Sequence, residues 1–247
     1  MRNKIIELGY PPREVDELRK TSKNINDDYN KLLKKYPIQY LIGYVNFYGY
    51  KIYVNENVLI PRQETEFLVE KTIKYYKQLF NDNNVKVLDI GIGSGAISIA
   101  LSKEINASVT GVDISKEALV VAKKNIEENN CDIKLINSDI FKNVKGKYDI
   151  IISNPPYIDV DEQIDDSVKL YEPHIALYGK DNGLYFYKEI LKESKNYLND
   201  KSILAFEIGC NQANMIKEIA MNYYEEDKII IHKDLSGRDR YLFIINE

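Results

Sequence analysis

From residue 85 to the end of the chain, short apolar runs alternate with stretches of helical period. VKVLDI, SVTGVDI, IKLINSDI, YDIIISNPPY and KSILAFEIG have the length and apolar continuity of buried strands. GAISIALSKE, KEALVVAKKNIEENN, NGLYFYKEILKESKNYL and NQANMIKEIAMNYY carry the helical pattern. Strands that alternate with helices build a parallel sheet covered on both faces. The last two runs, KIIIHKD and DRYLFIIN, are separated only by Leu-Ser-Gly-Arg. A parallel pair needs a long crossover, so these two must be antiparallel. The expected fold class is therefore α/β: a seven-stranded, Rossmann-like sheet, mostly parallel, with a C-terminal antiparallel hairpin.

The N-terminal part follows other rules. Residues 1–36 read as polar helix, with an apolar pattern at Leu18, Tyr29, Leu32, Leu33 and Tyr36, and Pro37 ends it. Residues 38–60 alternate aromatic and β-branched residues around Gly43, Gly49 and Asn55, which predicts a β-hairpin. Residues 64–80 return to a helical period through Phe67, Leu68, Ile73, Tyr76 and Leu79. A chain of 247 residues suits one medium domain with a small appendage. The expected division is residues 1–60 as a helical region with its hairpin, and residues 61–247 as the main domain.

Composition removes several classes of function. No apolar run is long enough to span a bilayer or to serve as a signal peptide. The net charge of −4 does not suit a domain that grips duplex nucleic acid by phosphate neutralisation. Cys131 and Cys210 are far apart and lack CxxC spacing, and His174 and His232 are too few for a histidine-based cluster. No metal site and no disulfide framework is expected, and a reducing, cytoplasmic setting fits.

Two motifs carry chemistry. The first is Asp89-Ile90-Gly91-Ile92-Gly93-Ser94-Gly95, where the first strand of the alternation turns into its helix. Glycines there permit a tight turn and a close approach of ligand to backbone. Asp113 ends the next strand, 18 residues past Gly95. An acid at that place accepts hydrogen bonds from both hydroxyls of a ribose, so a nucleoside-containing cofactor is expected. Gly91-x-Gly93-x-x-Ala96 also satisfies the dinucleotide pattern, so the loop alone leaves a nicotinamide cofactor open. Asp139 can accept an adenine amino group, and Ile140 can cover the ring.

The second motif is Asn154-Pro155-Pro156-Tyr157, directly after the fourth strand. In open α/β sheets, ligands bind beyond the carboxyl ends of the strands, so this tetrapeptide shares a rim with the glycine loop and Asp113. The Asn154 side-chain oxygen and the Pro155 carbonyl can each accept one hydrogen of a planar NH2 group. The prolines fix the backbone that presents them, and Tyr157 offers a flat face for stacking. An amide or exocyclic amine is a poor nucleophile, so its partner must be a strong electrophile such as a sulfonium methyl group.

Together these residues resemble the S-adenosylmethionine-dependent release-factor glutamine methyltransferases, the HemK or PrmC family. The resemblance runs from about Tyr36 to the end. It is carried by Pro37-Ile38-Gln39-Tyr40-Leu41-Ile42-Gly43, Phe47-Tyr48-Gly49, Leu59-Ile60-Pro61-Arg62 with Glu64-Thr65-Glu66, Asp89 to Ala96 and Asn154 to Ile158. Glu172-Pro173, Gly183-Leu184, Glu207-Ile208-Gly209 with Gln212, and Gly237-Arg238-Asp239-Arg240 continue it. The resemblance implies a class I methyltransferase sheet preceded by a substrate-docking region. It implies methylation of the glutamine side-chain nitrogen in the Gly-Gly-Gln motif of bacterial class I release factors, with S-adenosylhomocysteine as the product. Carried over by position, Gly91, Ile92, Gly93, Ser94, Gly95, Asp113, Asp139, Ile140 and Asn154 contact the cofactor. Asn154, Pro155, Pro156 and Tyr157 hold the amide, with Asn154, Pro155 and Tyr157 catalytic. The implied enzyme is a monomer without membrane or direct nucleic-acid partners. The region before Pro37 is shorter than is usual in the family, and Gln63, Lys180 and Asn182 depart from its pattern. Two other readings use the same residues: a nucleic-acid amino methyltransferase acting on adenine N6 or guanine N2, and a non-catalytic nucleoside-binding module. A dehydrogenase would leave the tetrapeptide idle.

Overall fold

The computed structural model describes residues 1–247. In chain order, helices α1 (Arg2–Glu7), α2 (Pro12–Thr21), α3 (Ile25–Leu32) and α4 (Ile38–Ile42) lead into a hairpin of β1 (Tyr44–Phe47) and β2 (Tyr50–Tyr53). Then come α5 (Gln63–Phe80), β3 (Val85–Ile90), α6 (Ala96–Glu104), β4 (Ala107–Asp113), α7 (Lys116–Glu128), β5 (Ile133–Asn137) and β6 (Tyr148–Ser153). The remainder is α8 (Asp166–Tyr171), α9 (His174–Leu177), α10 (Tyr185–Tyr197), β7 (Leu198–Glu207), α11 (Ala213–Met221), β8 (Ile229–Lys233) and β9 (Asp239–Asn246).

The main sheet has seven strands in the order β5-β4-β3-β6-β7-β9-β8. Pairing is parallel from β5 to β7, and β9 lies antiparallel between β7 and β8. This is the expected α/β sheet with its C-terminal hairpin. Successive strand residues serve opposite faces. Val87, Ile150 and Ala205 pack towards α5, α6 and α7, whereas Leu88, Ile151 and Leu204 pack towards α10 and α11. Both faces are thereby covered, which is why the strands read as unbroken apolar runs.

The N-terminal region differs in detail from the expectation. Residues 1–36 form three helices, interrupted at Gly9, which has a φ of +96°, and at Asn24, whose side chain caps α3. Ile5, Val15, Leu18, Leu32, Ile38 and Ile42 make a small core of their own. Ile38–Ile42 form a helical turn rather than the start of the hairpin. Pro37 precedes that turn and Gly43 closes it at a φ of +87°, a left-handed cap that glycine adopts without strain. Phe47 and Ile52 of the hairpin belong to the main core.

One buried side chain ties the hairpin to the sheet. Asn125, fully buried on α7, accepts from the Tyr53 N–H at 2.7 Å and donates to the Tyr53 carbonyl at 2.9 Å. Its Nδ2 also donates to the Ser94 carbonyl at 2.8 Å, inside the glycine loop. Replacing Asn125 by alanine leaves those buried backbone groups unpaired. Asn125→Ala is expected to cost about 2–4 kcal/mol. Urea denaturation of the two proteins measures it, and a loss below ~1 kcal/mol would contradict the bracing role.

Candidate active site

The strand order reverses between β3 and β6, since β4 and β5 continue to one side of β3 and β6 and β7 to the other. Such a switch point opens a crevice at the carboxyl rim. There, a cleft of about 580 Å³ is lined by the glycine loop, the ends of β4 and β6, and residues following β5. Ser153 Oγ donates to the Ile90 carbonyl at 2.7 Å and ties the two strand ends together.

The glycine loop folds back on β4, with the Gly91 and Ile92 N–H groups both donating to the Val112 carbonyl at 2.9 Å. Gly91 has a φ of +76°, and a Cβ there would project into open space. Gly111 must lack a side chain because a Cβ would stand 2.1 Å from the Ile92 side chain. Gly91, Ile92, Gly93 and Ser94 line the cleft, and Gly95 instead starts α6 and packs against Ala122.

Asp113 is half-buried at the cleft. Its Oδ2 accepts from the Gly93 N–H and its Oδ1 from the Ser115 N–H, each at 2.9 Å. Each oxygen keeps a further lone pair, so the carboxylate can still take two hydroxyls. Burial pushes its pKa up, against the pull of those N–H groups. Asp139 and Ile140 also line the cleft. Ile140 has a φ of +47°, an unusual conformation for a β-branched residue. The glycine cradle, the acid with free lone pairs and the apolar wall at Ile140 together fit a nucleoside.

Asn154, Pro155 and Pro156 face the same cleft. The Pro155 carbonyl and Asn154 Oδ1 accept no hydrogen bond from the protein, so both acceptors are available. Tyr157 is placed differently from the stacking face expected of it. It does not line the cleft; its hydroxyl lies 3.4 Å from Glu207 Oε1 and its ring packs against the core between the sheet and helices α10 and α11. The Tyr157 carbonyl is held by Gln212 Nε2 at 2.9 Å. Gly183 passes so close that a Cβ would be 2.1 Å from that carbonyl. This explains why Gly183 and Gln212 accompany the tetrapeptide.

Sequence reasoning missed Thr65, on the cleft wall, and Glu207 behind it. Asn154 Nδ2 donates to Thr65 Oγ1 at 3.2 Å, and Thr65 Oγ1 donates to Glu207 Oε2 at 2.7 Å. Thr65 is 5% exposed and Glu207 2%, and burial pushes the Glu207 carboxyl up. The signal available was an acid inside the apolar run LAFEIG, since a buried strand does not carry a charge without partners. Arg62 pairs with buried Glu172, which also accepts from the Ile60 N–H at 3.1 Å. Glu66 accepts from the Tyr48 N–H at 2.8 Å and so orients the hairpin turn.

The fold and cleft together define a class I S-adenosylmethionine-dependent methyltransferase. A family profile described as "Methyltransferase small domain" matches residues 65–170. A methyltransferase from Pyrococcus furiosus shares the fold, with a TM-score of 0.59 at 23% identity, covering 80% of this chain and 89% of that one. The release factor glutamine methyltransferase of Lactococcus lactis is 38% identical over 255 residues, covering 96% of this chain and 93% of that protein. Its counterpart in Streptococcus pneumoniae is 40% identical over 223 residues, covering 89% and 78% respectively. The Bacillus subtilis protein is 37% identical over 246 residues, covering 97% and 84%. The chain belongs to the release factor glutamine methyltransferase family.

Two measurements check the site as described. Asp113→Ala should weaken cofactor binding by about 10- to 100-fold, the value of charge-assisted hydrogen bonds. Unchanged affinity in calorimetry would refute the ribose assignment. Asp89, fully buried on β3, accepts from Ser98 Oγ at 2.7 Å, and its Oδ1 has no partner in the protein. Burial, aided by the nearby Asp113 charge, pushes its carboxyl from 3.8 up to about 7. Its folded value exceeds its unfolded one, so its stabilising contribution is full below about pH 4 and is lost as pH rises through about 7. The Tm should therefore decline between those pH values, and Asp89→Asn should flatten that decline. Parallel curves for the two proteins would contradict it.

Proposed function

We infer that this chain transfers a methyl group from S-adenosylmethionine to the side-chain amide nitrogen of the Gly-Gly-Gln glutamine in a class I peptide-chain release factor. The observation that carries this reading is the pair of unused acceptors, Asn154 Oδ1 and the Pro155 carbonyl, on the wall of a nucleoside-shaped cleft. When bound, S-adenosylmethionine supplies a sulfonium methyl group and leaves as S-adenosylhomocysteine. Gly91, Ile92, Gly93 and Ser94 receive the cofactor's close approach, Asp113 its ribose, and Asp139 and Ile140 its base.

The residues of the tetrapeptide act on the glutamine. Asn154 Oδ1 and the Pro155 carbonyl each accept one N–H of the amide, which fixes its plane and turns the nitrogen lone pair towards the methyl group. Pro156 restrains the backbone that presents the carbonyl. Tyr157 contributes from behind, through its hydroxyl on Glu207. As the N–CH3 bond forms, the S–CH3 bond breaks and the nitrogen becomes cationic. Its proton is then acidic enough to pass to water without a dedicated base.

Residues 1–60 form the docking region in this reading, and residues 61–247 the catalytic domain. A separate core under α1 to α4 supports the division, although the hairpin shares the main core. No helix is long and apolar enough to cross a membrane. Two unpaired cysteines accord with a reducing, cytoplasmic setting, and the cleft is complete within one chain, in keeping with a monomer.

The test is transfer of label from S-adenosylmethionine to a purified class I release factor, its Gly-Gly-Gln glutamine-to-alanine variant, bulk DNA and bulk RNA. Label on the unmodified factor alone is expected. Label on nucleic acid would favour adenine N6 or guanine N2, whose amino groups offer the same two hydrogens. Asn154→Ala should lower the single-turnover rate on the order of 10³-fold, with cofactor affinity retained. Transfer at the unmodified rate would overturn the two-acceptor mechanism.

A further inference from the structure

From Thr65 on the cleft wall, a run of polar groups extends behind the cleft to Glu207, which does not line it. Glu207 is 2% exposed at the end of β7, and its two carboxylate oxygens face two hydroxyls. Oε2 accepts from Thr65 Oγ1 at 2.7 Å and Oε1 from the Tyr157 hydroxyl at 3.4 Å. Thr65 in turn stands 3.2 Å from Asn154 Nδ2. Thr65 reaches this point from α5, and Glu207 is 142 residues further along the chain.

The chemistry of this run has a direction. Thr65 Oγ1 donates to Glu207 Oε2, and a threonine hydroxyl has one proton to give. Thr65 gives it to Glu207, and therefore offers Asn154 nothing but lone pairs. The Asn154 amide must turn its NH2 towards Thr65, which leaves Oδ1 for the cleft. The opposite orientation would set oxygen against oxygen at Thr65 and present N–H groups to the incoming NH2, donor against donor.

We propose that Glu207, acting through Thr65, fixes the polarity of the Asn154 amide and thereby makes the cleft selective for an NH2-bearing substrate. Thr65 and Glu207 are positioning residues; neither touches the reacting atoms. The inference rests on the proposed role of Asn154 as an acceptor for the glutamine amide. It assigns to the Glu64-Thr65-Glu66 and Glu207-Ile208-Gly209 segments a shared task in that role. Tyr157 enters as the second hydroxyl that keeps the carboxylate in place.

The substitutions separate polarity from charge and from packing. Thr65→Val keeps the shape and removes both hydrogen bonds, and Thr65→Ser restores them. Glu207→Met removes the acceptor, so that the Thr65 hydroxyl can turn its proton to Asn154. Glu207→Gln keeps an acceptor for Thr65 by giving its NH2 to the Tyr157 oxygen.

With the full chain, a release factor and labelled S-adenosylmethionine, Thr65→Val should lower the single-turnover rate about tenfold. The KM for release factor should stay within about twofold, because the loss is of orientation and not of contact. Thr65→Ser and Glu207→Gln should stay within about threefold of the unmodified rate, and Glu207→Met should match Thr65→Val. In an Asn154→Ala background, Thr65→Val should change the residual rate by less than about twofold, since the two act as one unit. A readout independent of turnover is proton exchange at the Asn154 side-chain NH2, followed by NMR in the free protein. Loss of the Thr65 acceptor should speed it about tenfold, the equivalent of one hydrogen bond.

Unimpaired transfer by Thr65→Val, multiplicative losses with Asn154→Ala, or unaltered exchange would overturn the inference. Equal losses for Glu207→Gln and Glu207→Met would also overturn it, by showing that charge and not polarity matters. If Glu207→Met does not fold, the Thr65 variants still decide the outcome. If the unmodified chain transfers nothing to the release factor, it is the functional reading that fails, and the exchange measurement still tests the hydrogen-bond relay.

Discussion

Parallel pairing of β4, β3 and β6 is the constraint on which the site depends. It brings three strand ends to one rim, so that Asp113, the glycine loop and Asn154 arrive side by side although the tetrapeptide follows the loop by some 60 residues. The reversal of strand order between β3 and β6 keeps helices from closing over that rim. Each βα turn then needs only a local adaptation. At β3 it is a set of glycines; at β4, an acid that accepts backbone N–H groups; at β6, two prolines in succession.

A second device recurs at three places: a buried polar side chain joins a distant segment to the rim. Asn125 connects the hairpin to the glycine loop. Glu172 holds Arg62 and the Ile60 N–H, which fixes the approach to α5. Glu207 reaches α5 again through Thr65. Burial makes each of these groups costly unless fully paired, and full pairing demands one geometry. The apolar core could tolerate small shifts of α5 against the sheet, but these junctions cannot. That is why α5, which contributes no catalytic group of its own, still governs the cleft.

The layers of the fold were legible because buried parallel strands leave unbroken apolar runs, and VKVLDI or YDIIIS admits few other interpretations. Asp113 and the tetrapeptide were legible because strand ends in such a sheet share a rim whatever the loop lengths. The helical turn at Ile38–Ile42 was not, since Tyr40, Leu41 and Ile42 sit equally well in a strand pattern. Its cue was the Pro37 and Gly43 punctuation, a start signal and a left-handed stop six residues apart. The position of Tyr157 escaped prediction for another reason. A tyrosine after two prolines can point to either side of the cleft wall, and here its ring joins the core between the sheet and α10 and α11, with its hydroxyl beside Glu207 far along the chain. Partnerships such as Thr65 with Glu207 come into being only when the topology places α5 over β7.

The same partnerships bear on where the reaction's proton goes. Glu207 is a buried carboxylate close to a site that must eventually lose a proton, and so it invites assignment as a base. Its oxygens, however, face the hydroxyls of Thr65 and Tyr157, and it does not line the cleft. Thr65 stands between it and Asn154, whose Oδ1 has no proton to give. A carboxylate so enclosed orients groups, and a proton from the cleft would have to reach it through the Thr65 hydroxyl. The chemistry permits that division, because an alkylated amide nitrogen is a far stronger acid than the amide it came from and needs only water. A site relieved of base catalysis can commit its buried charge to holding one amide the right way round.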